Sequence, residues 1–452
     1  MTKRTAIGLI YTIFSAIVII SGTIMAIRWA NGDFRRDLQS GLLVSESGLL
    51  SATSTPVGAQ VFIDGRLASV TDNVFYLEPG TYEITIQQDG FSTWRQTMQI
   101  ERGLVTTTNA RLFPSSPSLF SLTFTGAENL SVSPDGQKLI FFTASASAQA
   151  RNGFYFLDLG TSGNQAPRAA RQLTDNEAQD LANAEIIWSS DSSEILIKTN
   201  YRTFLVPIGP MTSLATAPDV TWRVRTLLST WEEDMYLRER EYLARFPAEI
   251  IEIATQSAIN VYFSPDKRKI VYTATEYIAI PSNIIPAIPA ASTQQEDRNL
   301  VPGGIYVFDL LEDRNFRIGT ASLEDESLNK NFLLANDALS RTPLSLAASP
   351  SAFTRLQASP SAEITTAQLF KAYHSPLHTG GWQWLSDSRH LVGVINNQIV
   401  ITSYDGTNTT TVYSGPFLNN FVYPWADGSR LLILTTFSPE APANIYSIEL
   451  VR

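Results

Sequence analysis

The feature that most constrains this chain is a turn that keeps coming back. Asn129-Leu130-Ser131-Val132-Ser133-Pro134-Asp135-Gly136-Gln137-Lys138-Leu139-Ile140-Phe141-Phe142 reads as strand, tight turn, strand. Pro presets φ, Asp bonds its own backbone and Gly accepts a positive φ. The pattern returns around Asp191, Asp266, Asp387 and Asp427, each time between apolar, β-rich runs. A hairpin of this kind cannot bury its apolar face alone. Several copies stacked radially can, and the repetition predicts a ring of small sheets.

The copies resemble the TolB-like, WD40-like β-propeller repeat, whose core is F-S-P-D-G before an apolar strand. Phe263-Ser264-Pro265-Asp266 matches it best. Ser190, Leu385 and Ala426 depart from it, while the aspartate persists in all five copies. These aspartates are expected to cap their own turns, not to catalyse or bind metal. The resemblance implies five blades, or six if the Ser/Ala/Pro-rich stretch 323–371 hides a degenerate one. That stretch otherwise reads as a long loop with one helix around 328–338.

Thr5 to Ile27 carry no charged side chain. At 1.5 Å per residue they would span about 35 Å, enough for a bilayer. Lys3 and Arg4 precede the run, while Arg28, Arg35 and Arg36 follow it. We expect residues 1–30 to be an uncleaved, single-pass membrane anchor with its N-terminus in the cytoplasm, and 31–49 a polar stalk. A cleaved signal peptide is the rival reading.

Next comes a small β-unit. Pro56 to Arg66 read as a strand entering the Asp64-Gly65 turn. Tyr82, Ile84 and Ile86 alternate with polar residues, as one buried strand face requires. Pro56, Gly58, Ala59, Asp64, Gly65, Pro79, Gly80, Tyr82, Gly90 and Phe91 resemble the PEGA domain, a small β-sandwich-like module, over about 50–113. Val57 stands where that family has its glutamate, and Ser69 and Asp72 replace a usual Gly and Pro. The resemblance implies a spacer or envelope contact, with no catalytic residue among those matched.

The propeller is expected over 117–452. Leu119 to Thr125 form an apolar strand with no nearby partner, while the chain ends in Asn444 to Leu450. Pairing the two would close the ring and leave no open edge. A helical insertion is expected at about 230–256. Thr230-Trp231-Glu232-Glu233 fits a capping box at its start, and Pro247 suits a second helix.

The chemistry is sparse. The chain has no cysteine, which removes disulfides, thiolate metal sites and thiol nucleophiles. His374 and His378 lie four apart, but Ser375-Pro376 between them argues against a helical metal pair, and His390 stands alone. Asp405-Gly406 reads as a hairpin turn, not a calcium loop. No catalytic, cofactor-binding or metal-ligating residue is assigned, and no cofactor is expected. Net charge is −10, with no basic patch beyond the first forty residues, so nucleic acid is a poor partner. The expectation is a non-enzymatic binding or scaffold protein of the cell membrane, mostly extracytoplasmic, holding a protein, peptide or glycan ligand. The competing class is a propeller-type hydrolase or lyase acting on an envelope or extracellular polymer.

Overall fold

A computed structural model describes residues 23, 47–160, 169–176, 181–286, 292–321, 381–418, 421–438 and 440–451. Among them, no helix is long and apolar enough to cross a membrane. The expected anchor lies outside the described residues apart from Thr23, as do His374, His378 and the stretch 323–371.

The small domain opens with strand Gly48–Ala52, so the first strand takes in the end of the expected stalk. That strand pairs antiparallel with Asn73–Leu77 and parallel with Val105–Thr107. A second sheet runs Arg66–Val70, Gln60–Ile63, Gly80–Gln87, Trp94–Ile100 in spatial order. Asp64 and Gly65 both take positive φ, which lets two residues turn the first hairpin of that sheet. Leu50 and Ala52 from one sheet meet Val61, Ile84, Ile86 and Trp94 from the other in a single core. The expected alternation holds, since Ile84 and Ile86 are fully buried.

Five sheets follow, one for each copy of the turn. Blade I holds strands Glu128–Val132, Lys138–Thr143, Gly153–Asp158 and Arg171–Gln172. Blade II holds Glu185–Trp188, Glu194–Lys198 and Thr203–Pro207, with 218–220 hydrogen-bonded along the outside. Blade III holds Ala258–Phe263, Lys269–Ala274, Gly304–Asp309 and Arg314–Thr320. Blade IV holds Gln383–Trp384, His390–Ile395, Gln398–Ser403 and Thr410–Tyr413. Blade V holds Val422–Pro424, Arg430–Thr435 and Asn444–Glu449. Its outermost strand is Leu119–Ser121, paired with the last strand as Leu119↔Ile448 and Ser121↔Tyr446. The first strand of the ring region and its last therefore meet in one sheet, as the orphan strand predicts. Leu122 packs into the core there, whereas Phe120 and Phe124 point outward.

Apolar clusters join blade I to II, III to IV, IV to V and V back to I. Blades II and III are joined differently. Helix α1 (Val224–Leu243) lays Leu228, Trp231 and Met235 against Ile187 and Leu196 of blade II. Helix α2 (Ala248–Gln256) and Phe246 pack on Ile270, Tyr272 and Phe308 of blade III. The helical pair stands where a further blade would. The expected capping box is not the helix start. Thr230 lies within α1 and donates to Thr226 O at 3.0 Å, and the helix begins at Val224 after a 3-10 turn at Thr221–Arg223.

The five turn aspartates do what the sequence predicts. Each accepts the backbone N–H two residues on, at Gln137, Ser193, Arg268, Arg389 and Ser429. The residue after each aspartate has positive φ: Gly136, Ser192, Lys267, Ser388 and Gly428. Three of the five are not glycine, and each non-glycine side chain reaches the element that precedes its blade in the ring. The Ser192 hydroxyl accepts the N–H of Asp135 at 3.3 Å, and the Ser388 hydroxyl that of Asp266 at 3.0 Å. Lys267, which follows the helical pair, sets Nζ 5.0 Å from the Tyr242 ring centre. Where glycine stands, a side chain has no room: a Cβ on Gly428 would lie 2.5 Å from Ser386 Oγ.

Candidate functional site at the domain junction

A cluster of partly buried charged groups lies where the small domain meets blades IV and V. Strand Ala110–Arg111 sends the Arg111 side chain onto the ring. Its Nη1 lies 2.8 Å from Asp387 Oδ2, and Nη2 donates to Gly428 O at 2.6 Å. Asp387 is the turn aspartate of blade IV, and Gly428 sits in the turn of blade V. One guanidinium thus ties two successive turns together. A planar fork with several donors suits that role where a lysine could not.

Asp387 is saturated. Oδ1 accepts the N–H groups of Arg389 and His390 at 2.9 and 3.0 Å. Oδ2 meets Arg111 and His390 Nδ1, each at 2.8 Å. Burial opposes ionisation here. The hydrogen bond from His390, the nearby His390 and Arg111 charges and the Arg389 amide outweigh it, and they hold the carboxyl well below the usual carboxylate range. His390 is buried and meets Phe113 edge-on, with ring centres 5.4 Å apart. Phe113 joins the core cluster of blades IV and V. His390 is thus an interdomain residue.

The network extends sideways. Asn408 Oδ1 accepts the N–H of Arg95 at 2.7 Å, and Gln96 Nε2 donates to Asp405 Oδ2 at 3.4 Å. Both acceptors belong to the Asp405-Gly406 turn, which serves as a docking point. Burial pushes the Asp405 carboxyl up. Between blades IV and III, Tyr404 OH donates to Glu312 Oε1 at 2.9 Å while Ser292 N–H donates to Oε2 at 3.2 Å. Burial and then the Asp309 charge raise Glu312.

The chemistry of this arrangement is holding. A general base needs a free lone pair facing a substrate, and every oxygen of Asp387 is engaged within the protein. Among the described residues no group of three or more His, Asp or Glu could hold a metal ion. Sequence reasoning found Asp387 and His390 but not their partner Arg111.

With that geometry in view, the comparisons fall into place. The PEGA domain family matches residues 47–116, and the chain carries a PEGA domain there. The match includes Arg111, Phe113 and Gln96, whose side chains meet the ring. No curated protein matches the chain. Among solved structures, TolB from Acinetobacter baumannii is 10% identical, with a TM-score of 0.21, over 82% of this chain and 59% of that one. The chain thus spans well under two thirds of that TolB. Putative TolB from Agrobacterium tumefaciens is also 10% identical, with a TM-score of 0.16, over 90% of this chain and 99% of that one. Kuenenia stuttgartiensis hydrazine synthase is 9% identical, with a TM-score of 0.19, over 91% and 98%. Overlap this loose carries no argument about activity. The ring rests on its own strand pairings.

Proposed function

We propose that this chain is a binding or scaffold protein of the cell envelope, in which the ring is the interaction platform and the PEGA domain its mount. The Thr5 to Ile27 stretch would hold it to the membrane, with the bulk of the chain outside the cytoplasm. The observation that supports this most is the junction. There Arg111, Asp387 and His390 are spent on fixing one domain to the other, with both oxygens of Asp387 engaged. A rigid mount is what a platform held away from a membrane requires.

Two measurements test the reading. Protease added to intact cells should digest the PEGA domain and ring, and full protection would overturn the extracytoplasmic placement. Envelope extracts passed over the immobilised full-length chain should yield a ligand that is retained saturably and recovered intact. Release of a shortened or chemically altered polymer would overturn binding in favour of catalysis.

A further inference from the structure

The two ends of the ring differ in kind. In an antiparallel meander, the turns joining strands one to two and three to four share one end. The turn joining strands two to three and the exit from strand four share the other. The PEGA domain sits on the first end, against Asp387, Gly428, Asp405 and Asn408. The opposite end carries exposed aromatic rings. Tyr201 lies in the two-to-three turn of blade II, and Tyr277 follows the second strand of blade III. Trp222 follows the outer segment of blade II, and Phe124 lies on the exit from the outer strand of blade V. They are 87%, 80%, 83% and 80% exposed, in that order, and no other large apolar side chain among the described residues reaches 80%. Phe437, in the two-to-three connection of blade V, adds a fifth ring.

Charged groups flank the blade II rings. Arg202 Nε lies 3.8 Å from Asp219 Oδ2, and Arg223 lies 5.9 Å from the Trp222 ring centre. Lys198 Nζ lies 3.3 Å from Glu185 Oε2 at the same end of blade II. A protein interface has a contiguous apolar core inside a polar rim. Here the exposed rings come from different connections of blades II, III and V, and those of blade II stand beside carboxylates and guanidinium groups.

We propose that the end of the ring opposite the PEGA domain binds a carbohydrate polymer. The C–H face of a sugar packs on an exposed aromatic ring, while its hydroxyls need donors and acceptors beside that ring. Arginine supplies several donors and aspartate only acceptors. Rings spread over blades II, III and V suit an extended chain crossing the end of the ring, not a single sugar held in a cavity. The proposal rests on the platform reading and names its ligand class.

Co-sedimentation of the full-length chain with purified peptidoglycan sacculi, and native electrophoresis through gels holding glucan, galactan or mannan, test it. At least one polymer should retain the protein. The double variant Tyr201→Ala/Trp222→Ala should weaken retention roughly tenfold or more, with its melting midpoint unchanged. Tyr76→Ala, an exposed aromatic on the PEGA domain, should leave retention as it was. Absence of retention by every polymer overturns the proposal, as does retention that the double variant leaves intact. In the latter case the platform reading survives and the binding face is elsewhere. A double variant that changes only the oligomeric mass, or only capture of a protein, also overturns it, because the rings then meet another protein surface. Shortening of a polymer would sink the platform reading itself.

Discussion

Lys269 places its Nζ 3.2 Å from Asp309 Oδ2 inside blade III, where both side chains are more than nine-tenths buried. Asp309 Oδ1 also accepts the N–H of Leu311 at 2.7 Å, and Lys269 lies 4.8 Å from the Tyr404 ring centre. Removing one partner strands the other charge in a poor solvent. Asp309→Asn should therefore cost about 3–5 kcal/mol in a denaturant titration. Replacing both at once, as Lys269→Met with Asp309→Leu, should recover most of that loss. A double variant as unstable as the single one would show that the hydrogen bonds of Asp309 matter more than its charge.

The junction predicts a dependence on acid. The Asp387 carboxyl is depressed in the folded state. Its stabilisation is thus complete above the ordinary aspartate range and is lost as pH falls through the lower folded value. Arg111→Ala removes one of the groups that depress it, so acid unfolding of the variant should begin at higher pH. Melting midpoints recorded between pH 6 and pH 2 would show this, and parallel curves for the two proteins would contradict it.

Glu232 on helix α1 gives the opposite sign. Burial pushes its carboxyl up to about 7. The folded state then favours the protonated form, so stability falls as pH rises from the ordinary glutamate range through about 7 and levels off above. Glu232→Gln should stabilise the protein by about 1–3 kcal/mol at pH 8 and by little at pH 4. A gain of equal size at both pH values would mean that the charge is not the cause.

Ring closure can be broken at one atom. Leu122 N–H donates to Ile445 O at 2.8 Å, beside the strand that closes the ring. Leu122→Pro removes that donor and should cost about 3 kcal/mol. Because each blade leans on the next, the whole ring should melt at a lower temperature in one transition. A separate early transition confined to blade V would show that closure does not constrain the other blades.

Much of the ring was legible in advance because its information is local. The turn aspartates, the left-handed residue after each and the flanking apolar strands lie within a dozen residues of one another. The closing strand was legible for a different reason, as an apolar run with nothing nearby to pair with. The start of helix α1 was misread because Thr230 and Glu233 have capping-box spacing in mid-helix, while Arg223, at the actual cap, makes no side-chain capping bond. The junction was invisible. Arg111 and Asp387 are 276 residues apart, one in the small domain and the other in a repeat of the ring, and no periodicity links them. The aromatic end was equally hidden, because its rings sit in connections that look alike until the strands are paired.

The helical pair between blades II and III has a consequence for how the circle is assembled. A ring of interchangeable wedges could close in more than one order, with any blade lying beside any other. Here the neighbour of Ile187 and Leu196 must offer Trp231, and the neighbour of Tyr272 and Phe308 must offer Phe246. Among the described residues both of those side chains come from the helical pair. The helices work as a key cut for a single lock, giving the circle a fixed beginning and so a definite heading for whatever stands on each of its two ends.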